Sequence, residues 1–309
     1  DTPYVNRHDV RMTPNTFEGA TLYGRAGGKD PEPQWRFGGG YLTRIKEKNS
    51  DEFKSMSTVA GAPAGVDRGV ALAGFNFEQK GFSIGAMMTF FDLLSSADVQ
   101  SAMPMLALAA AKVGSTAIRN LGTIGGNLCH NEPGADLPPA LLALNASVEL
   151  RSRKGARKVP LTEFFRGYFE TAVAPDEIVC RVEVPALPQG ARSAYIKHSI
   201  SAEDLAIASV AVVVIPDEHK VGSVRELRIG LGGVAPVPFR ASKAEAAVNG
   251  RMLNDDAIRA AAEIAASETE PMSDPHASAD YRRKMVKVLV RRAIVAAMEG
   301  AERNGHGKV

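Results

Sequence analysis

Cysteine is nearly absent from the 309 residues: Cys129 and Cys180 are the whole complement. Two thiols cannot staple a disulfide-rich secreted domain, and they cannot hold an iron–sulfur cluster, which takes about four cysteine ligands. An excess of one charge is also missing. Lys+Arg 37 stand against Asp+Glu 35, for a formal charge of +2, so nothing favours nucleic acid or an anionic membrane surface, where clustered positive charge is needed. The longest nearly uninterrupted apolar run, Leu205 to Ile215, falls well short of the roughly 18–20 residues of a membrane span. The opening residues Asp1 to Arg7 lack a basic region followed by an apolar one, which predicts a cytoplasmic protein. The six histidines have no Cys or carboxylate partners at ligand spacing, so no metal site is expected. No Ser–His–Asp arrangement or other catalytic group can be nominated.

What is present is an ordinary globular mixture, 45% hydrophobic and 23% charged, long enough for two or three cores. Thr16 to Arg25 can form a short helix, followed by loop chemistry at Gly27 to Pro33 and a short strand at Trp35-Arg36-Phe37 that runs into Gly38-Gly39-Gly40. Asp51 to Ala60 reads as strand or turn, while Val70 to Phe75 and Gly81 to Ala86 read as strands. Alanine content and apolar spacing favour helices over Thr89 to Leu94, Met103 to Val113 and Pro138 to Leu144. Strands are predicted at Ala146 to Arg151 and Glu177 to Val184.

Pro185 to Gly190 is the best domain boundary. It divides a first domain of residues 1–186, with subdomains of about 1–60 and 61–186, from a second of 190–309. Ser193 to His198, Ala206 to Ile215 and Ser223 to Leu231 make the second domain β-rich before helices take over. Its last helix, Ser278 to Met298, carries Tyr281, Met285, Val288, Leu289 and Val295 at helical spacing. Strands and helices are segregated, without a steady βαβ alternation, so the fold class is α+β.

Two glycine clusters carry the functional reading. Gly38-Gly39-Gly40 follows a strand, and Gly125-Gly126 lies in a second predicted turn. Consecutive glycines let backbone N–H groups converge on an anion, and two such nests suit the diphosphate of a dinucleotide. Neither matches the Rossmann fingerprint or the phosphate loop, and each taken alone is more readily a plain structural turn. The second cluster says more. Arg119-Asn120, Thr123-Ile124-Gly125-Gly126-Asn127 and Asp136-Leu137 together resemble the second FAD motif of the flavin-binding, or medium, subunit of the molybdenum hydroxylases, the xanthine dehydrogenase and carbon monoxide dehydrogenase group. The resemblance continues through Ser83 to Ala86, Tyr195-Ile196-Lys197, Glu203-Asp204, Gly230 to Pro236, Arg240-Ala241, Tyr281-Arg282-Arg283 and Leu289 to Ala293, spanning about residues 14 to 298. One departure stands out: Phe37-Gly38-Gly39-Gly40-Tyr41 occupies the place of a first FAD motif that usually reads Ala-Gly-Gly followed by Thr or His and then Asp or Ser. Ala26 to Asp30 is the alternative placement of that motif.

The resemblance implies a vanillyl-alcohol-oxidase-type FAD-binding domain of two subdomains, followed by the α+β C-terminal domain of the carbon monoxide dehydrogenase flavoprotein. It implies FAD contacts from Phe37, Gly38, Gly39, Gly40, Tyr41 and Leu42 at the first loop, and from Val113, Gly122, Thr123, Gly125, Gly126, Asn127 and His130 at the second. Asp136 would meet the ribityl or adenosine side, with helix capping as its other role. Ile178 and Val179 would flank the isoalloxazine ring, and Lys197 would place a positive charge beside it. The implied function is electron transfer through FAD to NAD, oxygen, a quinone or another acceptor. The implied partners are a large subunit with the molybdenum cofactor and a small subunit with two [2Fe–2S] clusters, assembled as a dimer of heterotrimers. A self-sufficient flavin oxidase or dehydrogenase of the same fold and an FAD-free scaffold subunit are the alternatives.

Overall fold

The computed structural model describes residues 16–27, 34–46, 53–55, 70–77, 81–220 and 222–299. Its first unit is an antiparallel sheet of β1 (Thr16–Gly27), β2 (Gln34–Lys46), β3 (Phe53–Ser55) and β4 (Val70–Phe77), with β2 paired to the other three. The expected helix at Thr16 to Arg25 is therefore strand β1. Its Thr-, Phe- and Tyr-bearing sequence suits a pleated ribbon, and it pairs with β2 along almost its whole length. Most of Asp51 to Ala60 and all of Ala26-to-Asp30's tail beyond Gly27 lie outside the described residues.

The second unit begins at β5 (Gly81–Gly85) and continues into six short helices: α1 (Phe90–Ser95), α2 (Ala97–Ala102), α3 (Pro104–Ala111), α4 (Thr116–Leu121), α5 (Ile124–His130) and α6 (Leu137–Ala143). Side-chain caps start several of them. Thr89 and Asp92 form a reciprocal capping box on α1, and Ser96, Ser115 and Thr123 cap α2, α4 and α5. Then follow β6 (Ser147–Ser152), β7 (Gly155–Pro160), α7 (Leu161–Phe164), β8 (Phe165–Gly167), β9 (Glu170–Thr171) and β10 (Ile178–Pro185). The sheet order is β5-β10-β6-β7, so β5 closes on a strand almost a hundred residues later. Helices α1, α3, α5 and α6 bury Leu93, Leu106, Ile124, Leu128, Leu137 and Leu141 in the core beneath it.

The third unit is a sheet of order β11-β12-β13-β14, comprising β11 (Arg192–His198), β12 (Ala208–Pro216), β13 (Val224–Gly232) and β14 (Phe239–Arg240). Helices α8 (Ser242–Val248), α9 (Asp255–Ser267) and α10 (Ala279–Met298) complete it. β12 is buried throughout from Ala208 to Ile215, as a central strand covered on both faces must be. Side chains alternate across a strand: Ala211, Val213 and Ile215 join the core of the second unit, while Val210, Val212 and Val214 join α8 to α10. The buried face of α10 is Arg282, Val286, Leu289, Val290, Ala293, Ile294 and Ala297. Tyr281 and Val288, placed inward by apolar spacing, are exposed. Arg282 is buried instead: its guanidinium donates to the carbonyls of Ile207 and Gly233 at 2.6 and 2.9 Å and pairs with Asp274. Among the described residues no helix is long and apolar enough to cross a membrane.

Candidate functional site

Thr123 sets the start of α5. Its hydroxyl accepts the Gly126 N–H at 3.1 Å, and the Ile124 and Gly125 N–H groups donate to the carbonyls of Met88 and Ala86 at 3.0 and 2.8 Å. Gly125-Gly126 is thus the first turn of a helix, where a tight turn was expected, and its opening N–H groups are already spent within the protein. The two glycines have different reasons. A Cβ on Gly125 would lie 2.7 Å from the Ala86 Cβ and 2.8 Å from its carbonyl oxygen, so only glycine lets α5 close on the end of β5. Gly126 faces outward, and a Cβ there would meet only Thr123 Oγ1, at 3.0 Å. Gly122 packs on Phe90.

Next on this helix, the Asn127 side-chain oxygen is buried and has no hydrogen-bond partner. A buried acceptor without a donor costs roughly 1–3 kcal/mol, and a hydroxylated or N–H-bearing ligand laid along α5 would supply that donor. His130 is exposed at the end of α5. Val113 and Val179 are half-buried against the core of the second unit, and Ile178 is 66% exposed where β10 begins.

The first glycine cluster takes a different form. Gly38, Gly39 and Gly40 lie inside β2, opposite Tyr23, Leu22 and Thr21 of β1 and Gly74, Ala73 and Leu72 of β4. Phe37, Tyr41 and Leu42 continue the same double pairing. In an antiparallel strand flanked on both sides, successive N–H groups point alternately to the two neighbours. The expected concavity of convergent donors is not formed there.

Asp136 and Lys197, expected as separate ligand contacts, meet each other. Lys197 Nζ donates to Asp136 Oδ2 at 2.9 Å and to the Lys112 carbonyl at 2.9 Å, and the Tyr195 hydroxyl donates to Asp136 Oδ1 at 2.6 Å. The lysine and aspartate side chains are 3% and 4% exposed. Burial pushes the Asp136 carboxyl up, with the Tyr195 and Lys197 hydrogen bonds pulling it part of the way back. The Tyr195 phenol is raised, first by burial and then by the negative charge of Asp136. Asp136 occupies the cap position of α6 yet makes no capping bond. Tyr195 was visible in the sequence only as part of a segment. The alternation of β11, which puts residues 195 and 197 on one face, is the signal that joins them.

Comparison with known proteins fixes the lineage. Residues 67–187 match the FAD binding domain in molybdopterin dehydrogenase, and residues 193–297 match the CO dehydrogenase flavoprotein C-terminal domain. The glyceraldehyde dehydrogenase medium chain of Sulfolobus acidocaldarius is 39% identical over 213 residues, 69% of this chain and 74% of that one. The chain belongs to the FAD-binding medium subunits of the molybdenum hydroxylases. The carbon monoxide dehydrogenase medium chain of Hydrogenophaga pseudoflava is 36% identical, covering 75% of this chain and 80% of its own. The solved carbon monoxide dehydrogenase of that organism, lacking the Mo-pyranopterin moiety of its molybdenum cofactor, superposes with a TM-score of 0.70 at 38% identity over 73% of this chain and 78% of that one. Quinoline 2-oxidoreductase of Pseudomonas putida 86 gives a TM-score of 0.67 at 30% identity, over 72% and 77% of the two chains.

The FAD-binding-domain match starts at residue 67, short of the resemblance's reach to about residue 14. The sheet strands β1 to β3, with Gly38 to Gly40 among them, precede both matched domains. The elements α5, α6 and β10 and the buried pair Asp136–Lys197 all lie within them. Among the described residues no group of three or more His, Cys, Asp or Glu could hold a metal.

Proposed function

We propose that this medium subunit carries electrons through FAD in a heteromeric molybdenum hydroxylase, between [2Fe–2S] clusters on a small partner subunit and NAD, oxygen, a quinone or another acceptor. A large partner subunit would hold the molybdenum cofactor, the assembly would be a dimer of heterotrimers, and the setting cytoplasmic. The observation that carries the reading is the face of α5: an exposed Gly126 without side-chain bulk beside a buried Asn127 oxygen that lacks a donor. FAD would supply the redox chemistry. The chain's own work is to seat it. Gly126 admits close approach, Asn127 accepts from a hydroxyl of the ligand, and Val179 and exposed Ile178 offer apolar surface. The Asp136–Lys197 pair fixes β11 against the segment between α5 and α6, and so holds that face in place.

The test is to purify the chain with co-expressed partners and record the visible spectrum before and after acid precipitation. Flavin bands that pass into the supernatant, with iron–sulfur absorbance from the partner, are the expected result. One observation favours a second reading, a scaffold subunit without flavin: Gly38 to Gly40 are paired on both sides within a sheet. A colourless complex that takes up no added FAD would establish that reading and refute the first.

A further inference from the structure

The turn between β8 and β9 stands in an uncommon conformation. Phe169 has φ 56°, in a two-residue corner closed by the pairing of Gly167 with Glu170. That region favours Gly or Asn, and a bulky side chain enters it only where the surroundings impose it. What imposes it is Asn131. This residue, fully buried and itself at φ 49°, follows α5 as its C-cap, and its Nδ2 donates to the carbonyls of Gly167 and Glu170, both at 2.7 Å. The corner is thereby pinned from both ends, and the Phe169 ring is held out, 57% exposed, with its centroid 5.2 Å from the His130 ring.

Strain at sparsely populated backbone positions persists where the surrounding structure over-determines it, commonly at ligand sites. Here the strain gains no core packing, since the Phe169 ring is 57% exposed and meets the exposed His130 ring. His130 lies three residues beyond Asn127, one turn along α5 from its orphaned acceptor, and Asn131 follows as the cap. An apolar, rigid ring face supported by a second ring is the surface on which a flat heterocycle stacks.

We infer that Phe169 and His130 form a shelf, at the corner that Asn131 pins, that stacks one of the two flat rings of the bound dinucleotide. This rests on the FAD reading above. The test uses the full chain with its partners, stripped of flavin, and titrates FAD by quenching of flavin fluorescence alongside visible circular dichroism and Tm. For Phe169→Gly the Kd for FAD rises about tenfold or more, the scale of one ring stacked on one aromatic side chain. Its Tm stays level or rises, because glycine adopts the positive φ without strain. Phe169→Tyr restores the affinity. A changed visible dichroism with the weaker binding puts the isoalloxazine on the shelf, and an unchanged one puts the adenine there. A wild-type complex that binds no FAD sinks the flavin reading together with the shelf. Wild type that binds, with Phe169→Gly binding equally well, overturns the shelf alone.

Discussion

Asp136 is a residue whose partner, Lys197, matters more than its own charge. Both side chains are all but sealed from water, and removing one member of such a pair leaves a buried ion uncompensated, at a cost of about 3–5 kcal/mol. Lys197→Met is therefore expected to lower the urea-unfolding free energy at neutral pH by that order. The pH dependence follows from the direction of the Asp136 shift. Its folded carboxyl is raised above the ordinary 3.8, so the folded chain holds the proton more tightly than the unfolded one. The stability this contributes is full below the ordinary value and is lost as pH rises through the folded one. Lys197→Met removes a lowering influence and moves that carboxyl further up, so the deficit relative to wild type shrinks as pH falls toward 3.8. A deficit that is constant across that range would mean that Lys197 contributes packing and its bond to the Lys112 carbonyl, with no charge compensation.

Elements differ in how openly the sequence declares them. The helix α1 and strand β12 were legible because their determinants are local: apolar spacing behind Thr89, and a near-continuous, valine-rich apolar run. The start of α5 was hidden because its glycine pair reads as a turn, and what makes it helical is the distant Ala86 backbone against which Gly125 closes. The Gly38 run failed as a loop for a related reason, since its partners Tyr23 and Gly74 come from strands on either side that no local pattern announces. The α5 glycines yield a contrast. Gly125→Ala should cost about 1–3 kcal/mol through overpacking on Ala86, whereas Gly126→Ala should keep the wild-type Tm within a degree or two, alanine being the better helix former. If FAD lies on this face, Gly126→Ala weakens its binding, measured by flavin fluorescence, with the fold intact.

The hairpin β7 and the loop before β10 offer an acid-sensitive link at the same scale. Arg157 grips Glu177 with two bonds, of 2.6 and 2.7 Å, and the Ala174 N–H adds a third donor. These hold the Glu177 carboxyl down at about 2, from an ordinary 4.5, chiefly through the Arg157 bond. A depressed carboxyl contributes stability that is present above its ordinary value and lost as pH falls through the folded one. Glu177→Gln should thus flatten the stability profile between pH 4.5 and about 2. Acid titrations of both proteins followed by circular dichroism check it: parallel curves would show that the pair is screened by solvent.

At the scale of the whole molecule, the boundary between the two family domains is a boundary in sequence more than in packing. A proline- and glycine-punctuated stretch does separate β10 from β11, but one face of β12 belongs to the core of each side. Gly230 and Gly232 of β13 seat the sheet on α6 so closely that a Cβ on Gly230 would overlap the Pro139 carbonyl. Arg240, paired with Glu245, reaches across to the Leu142 carbonyl and the Asn145 side chain at the end of α6. With the Asp136–Lys197 pair added, residues from about 81 to 299 share polar and apolar ties that no linker could replace. They should unfold as one unit. In calorimetry, wild type is expected to give a single endotherm whose calorimetric and van't Hoff enthalpies agree. Gly230→Ala forces β13 away from α6 and should cost about 1–3 kcal/mol, with the endotherm broadening or splitting as the two cores part. Two resolved endotherms in the wild type would show instead that each side of β12 can be exposed at little cost, against the roughly 25 cal/mol per Å² of apolar surface that such exposure forfeits.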